Sequence, residues 1–81
     1  MMMLHSLDIF QVKKRKRMMI LLAEIEQMKR IPLKEFFSHV AVQYGIRRDT
    51  AVEYVEDWID GGYISVENNV IHFIKKPEYV V

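Results

Sequence analysis

From Met18 onward, apolar residues recur at helical spacing. Met18, Leu21, Leu22, Ile25 and Met28 share one face, and Glu24, Glu26, Gln27 and Lys29 occupy the other sides. This predicts a helix from about Lys13 to Arg30. Methionine at this spacing reads as core rather than as a ligand. Pro32 ends the segment, because its ring disfavours helical geometry at Ile31. The same Pro32 suits the first turn of a second helix, where a missing N–H costs nothing. That helix is expected from about Leu33 to Tyr44, with Phe36, Phe37, Val40, Ala41 and Tyr44 as its apolar face. Gly45 stands where a left-handed cap is expected. A third helix follows from about Arg48 to Asp60, with Ala51, Val55, Trp58 and Ile59 as its stripe. Asp49 favours its positive end, and Gly61-Gly62 stops it.

The period then changes from helical to alternating. Tyr63 to Glu67 and Val70 to Ile74 flank Asn68-Asn69. Two asparagines suit the positive-φ positions of a type I′ turn. A two-residue turn sets Val66 opposite Ile71 and Ile64 opposite Phe73, all four on one side of the ribbon. Ser65, His72, Glu67 and Val70 fall on the other side. An apolar face opposite a mixed one is what a hairpin packed on helices requires.

Residues 1–12 lie outside this scheme. Leu4, Leu7, Ile9, Phe10 and Val12 are apolar but not tied to the three-helix core. Ser6 followed by Asp8 offers a helix start. The segment reads as an arm that packs on a partner subunit or folds back on its own domain. Residues 13–76 then form the domain, and residues 77–81 form a short tail. Apolar arms at both ends, Tyr79 to Val81 included, point to a homodimer held mainly by its termini.

Eighty-one residues make one domain at most, and a composition of 51% hydrophobic and 28% charged residues is ordinary for a globular chain. The absence of cysteine excludes disulfides and thiolate metal sites and suits a reducing, cytoplasmic location. No apolar run approaches the roughly 18 residues of a membrane helix. Met1 to Leu4 has no basic residue before it and does not resemble a secretory signal.

Net charge is +1, but it is unevenly spread. Residues 1–48 hold ten Lys/Arg against four Asp/Glu, and residues 49–81 hold two against seven. Five of the cations form one block, Lys13-Lys14-Arg15-Lys16-Arg17. Such a block binds phosphates by releasing counterions. The same run also fits a nuclear-import signal or a solvated helix face.

Catalytic chemistry finds little support. His5, His39 and His72 are dispersed over three expected elements, without the spacing of a metal site. Gly61-Gly62 reads as a helix stop rather than a phosphate loop. Asp57 and Asp60 read as a solvated face. Tyr54 and Trp58 have the rings to stack on unpaired bases, but Trp58 lies on the core stripe. No enzyme activity, metal, cofactor or small-molecule ligand is expected.

The order helix, helix, helix, hairpin resembles the winged helix-turn-helix superfamily over residues 18–74, about 70% of the chain. The likeness rests on Gly45-Ile46, three polar residues, Thr50-Ala51, then Val55, Trp58 and Gly62-Tyr63-Ile64. It implies an α+β fold, a three-helix core followed by a two-stranded β-hairpin wing. Many members are small DNA-binding transcriptional regulators. Others are protein-interaction modules in replication or transcription assemblies, such as the C-terminal domains of replicative helicases. By resemblance, Arg47 and Arg48 open the recognition helix, where arginine pairs with guanine O6 and N7. Thr50 matches a phosphate contact or a cap. Asn68 and Asn69 match the wing tip, and Lys34 matches the positive end of the second helix, where a phosphate sits. In a dimer, two such helices would meet successive major-groove faces roughly 34–36 Å apart. The third helix departs from the pattern. Asp49, Glu53, Glu56, Asp57 and Asp60 put carboxylates where phosphates would approach. Asp49 and Glu53 either accept from cytosine N4 or mark a helix that reads no bases. The expected function is duplex DNA binding, with protein–protein interaction as the alternative.

Overall fold

The computed structural model describes the backbone of residues 2–77 and the side chains of residues 14–77. The fold is α+β. Helix α1 spans Met2–Met28, strand β1 Arg30–Pro32, helix α2 Leu33–Tyr44, helix α3 Arg48–Asp60, strand β2 Ile64–Glu67 and strand β3 Val70–Phe73. The strands form one antiparallel sheet in the order β1-β3-β2. Two departures from expectation stand out. The sheet has three strands rather than two. The first helix begins at Met2, with no break between residues 2–12 and the basic block.

The hairpin follows the expected register. Ile64 pairs with Phe73 and Val66 with Ile71, and Ser65 pairs with His72 on the other side. Asn68 and Asn69 take φ of 53° and 64°, the positive values that a type I′ turn needs. The strands are one residue shorter than expected at their outer ends, because Tyr63 and Ile74 fall outside the ladder.

The added strand comes from Arg30-Ile31-Pro32. Ile31 is buried between two exposed neighbours and lies opposite Ile71. The ladder extends one bond beyond each end of the strand. Phe73 N–H donates to the Lys29 carbonyl at 2.9 Å, and Leu33 N–H donates to the Asn69 carbonyl at 2.8 Å. Pro32 has no N–H to offer a ladder, which an edge strand tolerates. To enter the strand, the chain turns sharply at Lys29, whose φ is 70°. Lys29 N–H closes α1 onto the Ile25 carbonyl at 2.8 Å. This is a helix cap of the left-handed kind, built with lysine where glycine is usual.

The core lies between the three helices and one face of the sheet. Leu21, Leu22 and Ile25 come from α1, Phe36 and Val40 from α2, Ala51, Tyr54, Val55 and Trp58 from α3, and Ile64 and Ile71 from the sheet. Phe36 meets Trp58 edge to face, with centroids 5.9 Å apart, a favoured aromatic geometry. Trp58 and Tyr54 are both buried, so neither ring is presented for stacking on bases. Gly45 takes φ 65° after α2, and Ile46 drops into the core behind it. Gly62, at φ 78°, ends α3, while Tyr63 N–H reaches back to the Trp58 carbonyl at 2.9 Å.

Four residues expected on apolar faces are exposed instead: Met28, Ala41, Tyr44 and Ile59. Met28 and Ile59 sit in the last turns of their helices, where the chain leaves the core. Tyr44 turns its hydroxyl to α1, donating to a Glu24 carboxylate oxygen. His39 Nε2 lies 2.6 Å from the other oxygen of that carboxylate. Together they clasp α2 to α1. The bond to Glu24 pushes the Tyr44 phenol above its ordinary pKa, so the tyrosine's share of the clasp persists at neutral pH and is lost only as pH rises through that raised value.

The backbone at Lys29 supplies a test. A non-glycine residue in the left-handed region costs about 1–2 kcal/mol, partly offset for glycine by its freer unfolded chain. Lys29→Gly is expected to stabilise the protein by about 0.5–1 kcal/mol, read from chemical denaturation. A lower midpoint would show that the lysine side chain holds the turn.

Candidate functional site

Two helix starts and the hairpin turn meet on one side of the molecule. Pro32 leads into α2 with φ −59° and ψ 139°, and Arg47 leads into α3 in an extended conformation. Neither residue caps its helix with a side-chain hydrogen bond. The start of α3 nonetheless holds a carboxylate of its own, because Asp49 accepts from the first-turn Thr50 N–H. The start of α2 is the positive helix end open to an anion. The bond from Leu33 N–H to the Asn69 carbonyl fixes the hairpin turn against the start of α2.

A groove runs between these parts. It is lined by Pro32, Leu33, Lys34, Phe37, Ser38, Arg48, Asn68, Asn69 and Val70. None of these residues is acidic. Four of the residues singled out from the sequence thus come together here: Lys34, Arg48, Asn68 and Asn69. Arg47 adjoins them on an open surface shared with Arg48, Asp49 and Val52. Thr50 is half-buried in the first turn of α3, and its N–H donates to Asp49 Oδ1 at 3.0 Å.

The two arginines are held differently. The Arg48 guanidinium lies over the Phe37 ring, 5.2 Å from its centroid, a cation–π arrangement. Phe37, which belongs by its spacing to the apolar face of α2, thus seats one of the groove's two cations. Arg47 faces solvent, with Nε 3.9 Å from Asp49 Oδ1. An exposed contact of that length fixes little.

Beyond its first turn α3 changes sign. Glu53, Glu56, Asp57 and Asp60 are all exposed. Only the start of the helix offers cations, and the remainder presents carboxylates. The basic block of α1 does not join the groove. Lys14 to Arg17 are exposed, and Arg15 lines a separate hollow with Met18, Met19, Leu22, Asp57, Trp58, Tyr63 and Pro77. Asp57 lies roughly 14 Å along α3 from Arg48, at 1.5 Å per residue. The block therefore stands by the far, acidic end of α3. The side chain of Lys13 lies outside the described residues.

Among the described residues, no three His, Asp or Glu side chains gather as a metal site would require. No described helix is long and apolar enough to cross a membrane. Comparison with protein-family models, with characterised proteins and with solved structures finds no match to this chain.

The contrast between the arginines is measurable. Arg48→Ala is expected to cost about 0.5–1 kcal/mol of stability through the lost stacking on Phe37. Arg47→Ala should stay within about 0.5 kcal/mol of the parent, as exposed surface changes do. Equal effects in urea denaturation would mean that the stacking contributes nothing.

Proposed function

We propose that this chain binds duplex DNA through the groove between α2, α3 and the hairpin turn, as a small transcriptional regulator of the winged-helix kind. The observation that carries the reading is the convergence of Lys34, Arg48, Asn68 and Asn69 with the start of α2, in a groove whose lining holds no carboxylate. A positive helix end and two cations at one concave surface suit phosphate oxygens. The three helices followed by a hairpin support the same reading, since they are compatible with the winged-helix arrangement that the motif resembles.

The sign change along α3 defines how the complex would form. The helix would approach the major groove by its first turn alone, with Arg47 and Arg48 nearest the base edges. Asn68 and Asn69 would meet the sugar–phosphate backbone beside it, and Lys34 would take a phosphate at the start of α2. Asp49, next to the arginines, would accept from cytosine N4 where the sequence offers it. The block at Lys13 to Arg17, standing apart, would act through its field or on a more distant stretch of the duplex.

A second reading is a protein-interaction module in a replication or transcription assembly. It is favoured by the exposed carboxylates of α3. Salt separates the two. Affinity for a random duplex should fall steeply between about 50 and 200 mM salt, with a log–log slope of roughly 0.9 per phosphate contacted. Lys34→Ala and Arg48→Ala should each flatten that slope by about one unit. Neutralising residues 13–17 should weaken binding to all sequences alike. Failure to bind duplex DNA even at low salt would leave the interaction module as the better reading.

A further inference from the structure

The helices cover one face of the sheet. Ile31, Ile64, Val66 and Ile71 turn toward them into the core. By the alternation of a strand, Arg30 and Pro32 of β1, Val70 and His72 of β3, and Ser65 and Glu67 of β2 stand on the other face. Pro32 and Val70 also line the groove. The groove therefore opens onto the outer face of the sheet, and the two form one continuous surface.

Register decides which side chains meet on that face. Arg30 lies directly opposite His72, and His72 lies directly opposite Ser65. Side chains opposite one another on one face have Cβ atoms about 4.5–5.5 Å apart. A single row across the strands thus carries arginine, histidine and serine. It stands two residues, roughly 7 Å, along the strands from Pro32 and Val70 at the groove wall. Arg30 is exposed, and His72 and Ser65 are half-buried. Among the described residues, none of these side chains is engaged in a hydrogen bond or an ion pair.

Every member of the row can donate. Arginine offers a planar fork of N–H groups, serine an O–H, and histidine at least one ring N–H. With no lone pair to give, arginine is no metal ligand, but its fork matches the oxygens of a phosphate. The row itself holds no carboxylate. Glu67 stands at the β2 edge of the sheet, whereas Arg30 stands on β1 at the opposite edge. A polyanion that reaches the groove by way of β1 meets Arg30 and His72 before it meets Glu67.

We propose that Arg30, His72 and Ser65 form a phosphate site, filled by the backbone of the duplex that occupies the groove. The duplex as the source of that phosphate rests on the DNA-binding reading. The site extends the interface from the helix starts and the turn onto the outer face of the sheet. Arg30 makes the charged contact, and His72 and Ser65 fix where the phosphate sits across the strands. Such contacts set the register of a protein on the duplex rather than read its sequence.

The test uses the full chain and a random-sequence duplex. Arg30→Ala should lower the log–log salt slope by about one unit, the share of one phosphate contact. Ser65→Ala should weaken binding and leave the slope unchanged, since it removes no charge. In the unsubstituted chain, the ring signals of His72 in magnetic resonance should shift on adding duplex. Those of His39, bound to Glu24 between α1 and α2, should not. A full slope in Arg30→Ala together with an unmoved His72 overturns the site and leaves the groove reading standing. If no duplex binds even at low salt, inorganic phosphate serves as the probe. A His72 shift that Arg30→Ala abolishes then supports the site, with free phosphate as its source, while the groove reading fails. An unmoved His72 overturns both. A His72 that responds to a glutamate-rich peptide, and to neither duplex nor phosphate, overturns the site and makes this face a protein contact.

Discussion

The pairing of β1 with β3 is the constraint on which the rest of the structure depends. Three residues supply it, and only Ile31 is buried. Yet the ladder from Phe73 N–H to Leu33 N–H joins the end of α1, the start of α2 and both arms of the hairpin in one hydrogen-bonded unit. An isolated two-stranded hairpin is marginal in water. The third strand covers one edge of β3 and ties the turn to α2. Without that tie, Asn68 and Asn69 would still form a turn, but nothing would hold it beside Lys34. The groove is therefore a consequence of backbone pairing before it is a matter of side-chain chemistry. The left-handed Lys29 belongs to the same device, because the chain must reverse within one residue of leaving α1 to reach the sheet edge.

Charge is sorted along the elements rather than between faces. The groove end of α3 carries Arg47 and Arg48, and its far end carries Glu56, Asp57 and Asp60. The basic block of α1 stands beside that far end, where Arg15 and Asp57 border the same hollow. Opposite charges across this hollow attract weakly at the exposed surface. Their larger effect is on the field, because the acidic stretch of α3 partly screens the block from the groove. A near-zero net charge thus conceals two basic regions with different surroundings.

The helices and the hairpin were legible in the sequence because each carries its own signal. Asn68-Asn69 sets the register by turn geometry alone, and Gly45 and Gly62 mark helix ends that require positive φ. The strand Arg30-Ile31-Pro32 was not legible, since one apolar residue beside a proline shows no alternation. The start of α1 was obscured for a different reason. Apolar residues fall on more than one side of residues 2–12, so no single face marks the segment as helix. In the groove, Lys34, Arg48 and the two asparagines were readable as motif positions. The seat of Arg48 on Phe37 was not, because it joins two helices and no local spacing predicts it. The separation of the basic block from the groove is likewise a property of packing, invisible in a run of five cations.

These placements divide the cations by how well they are ordered. Arg48 is held over an aromatic ring, beside a turn bonded to the neighbouring helix. A group already oriented loses less side-chain freedom on meeting its ligand, and the saving appears as affinity and geometric selectivity. Lys14, Arg15, Lys16 and Arg17 are exposed on a helix surface, and each would surrender its side-chain freedom on contact. Long, flexible cations of that kind attract any polyanion and discriminate little. In the proposed complex the block draws the duplex in. The groove then decides how the duplex is seated, and it does so because a three-residue strand has already brought its parts together.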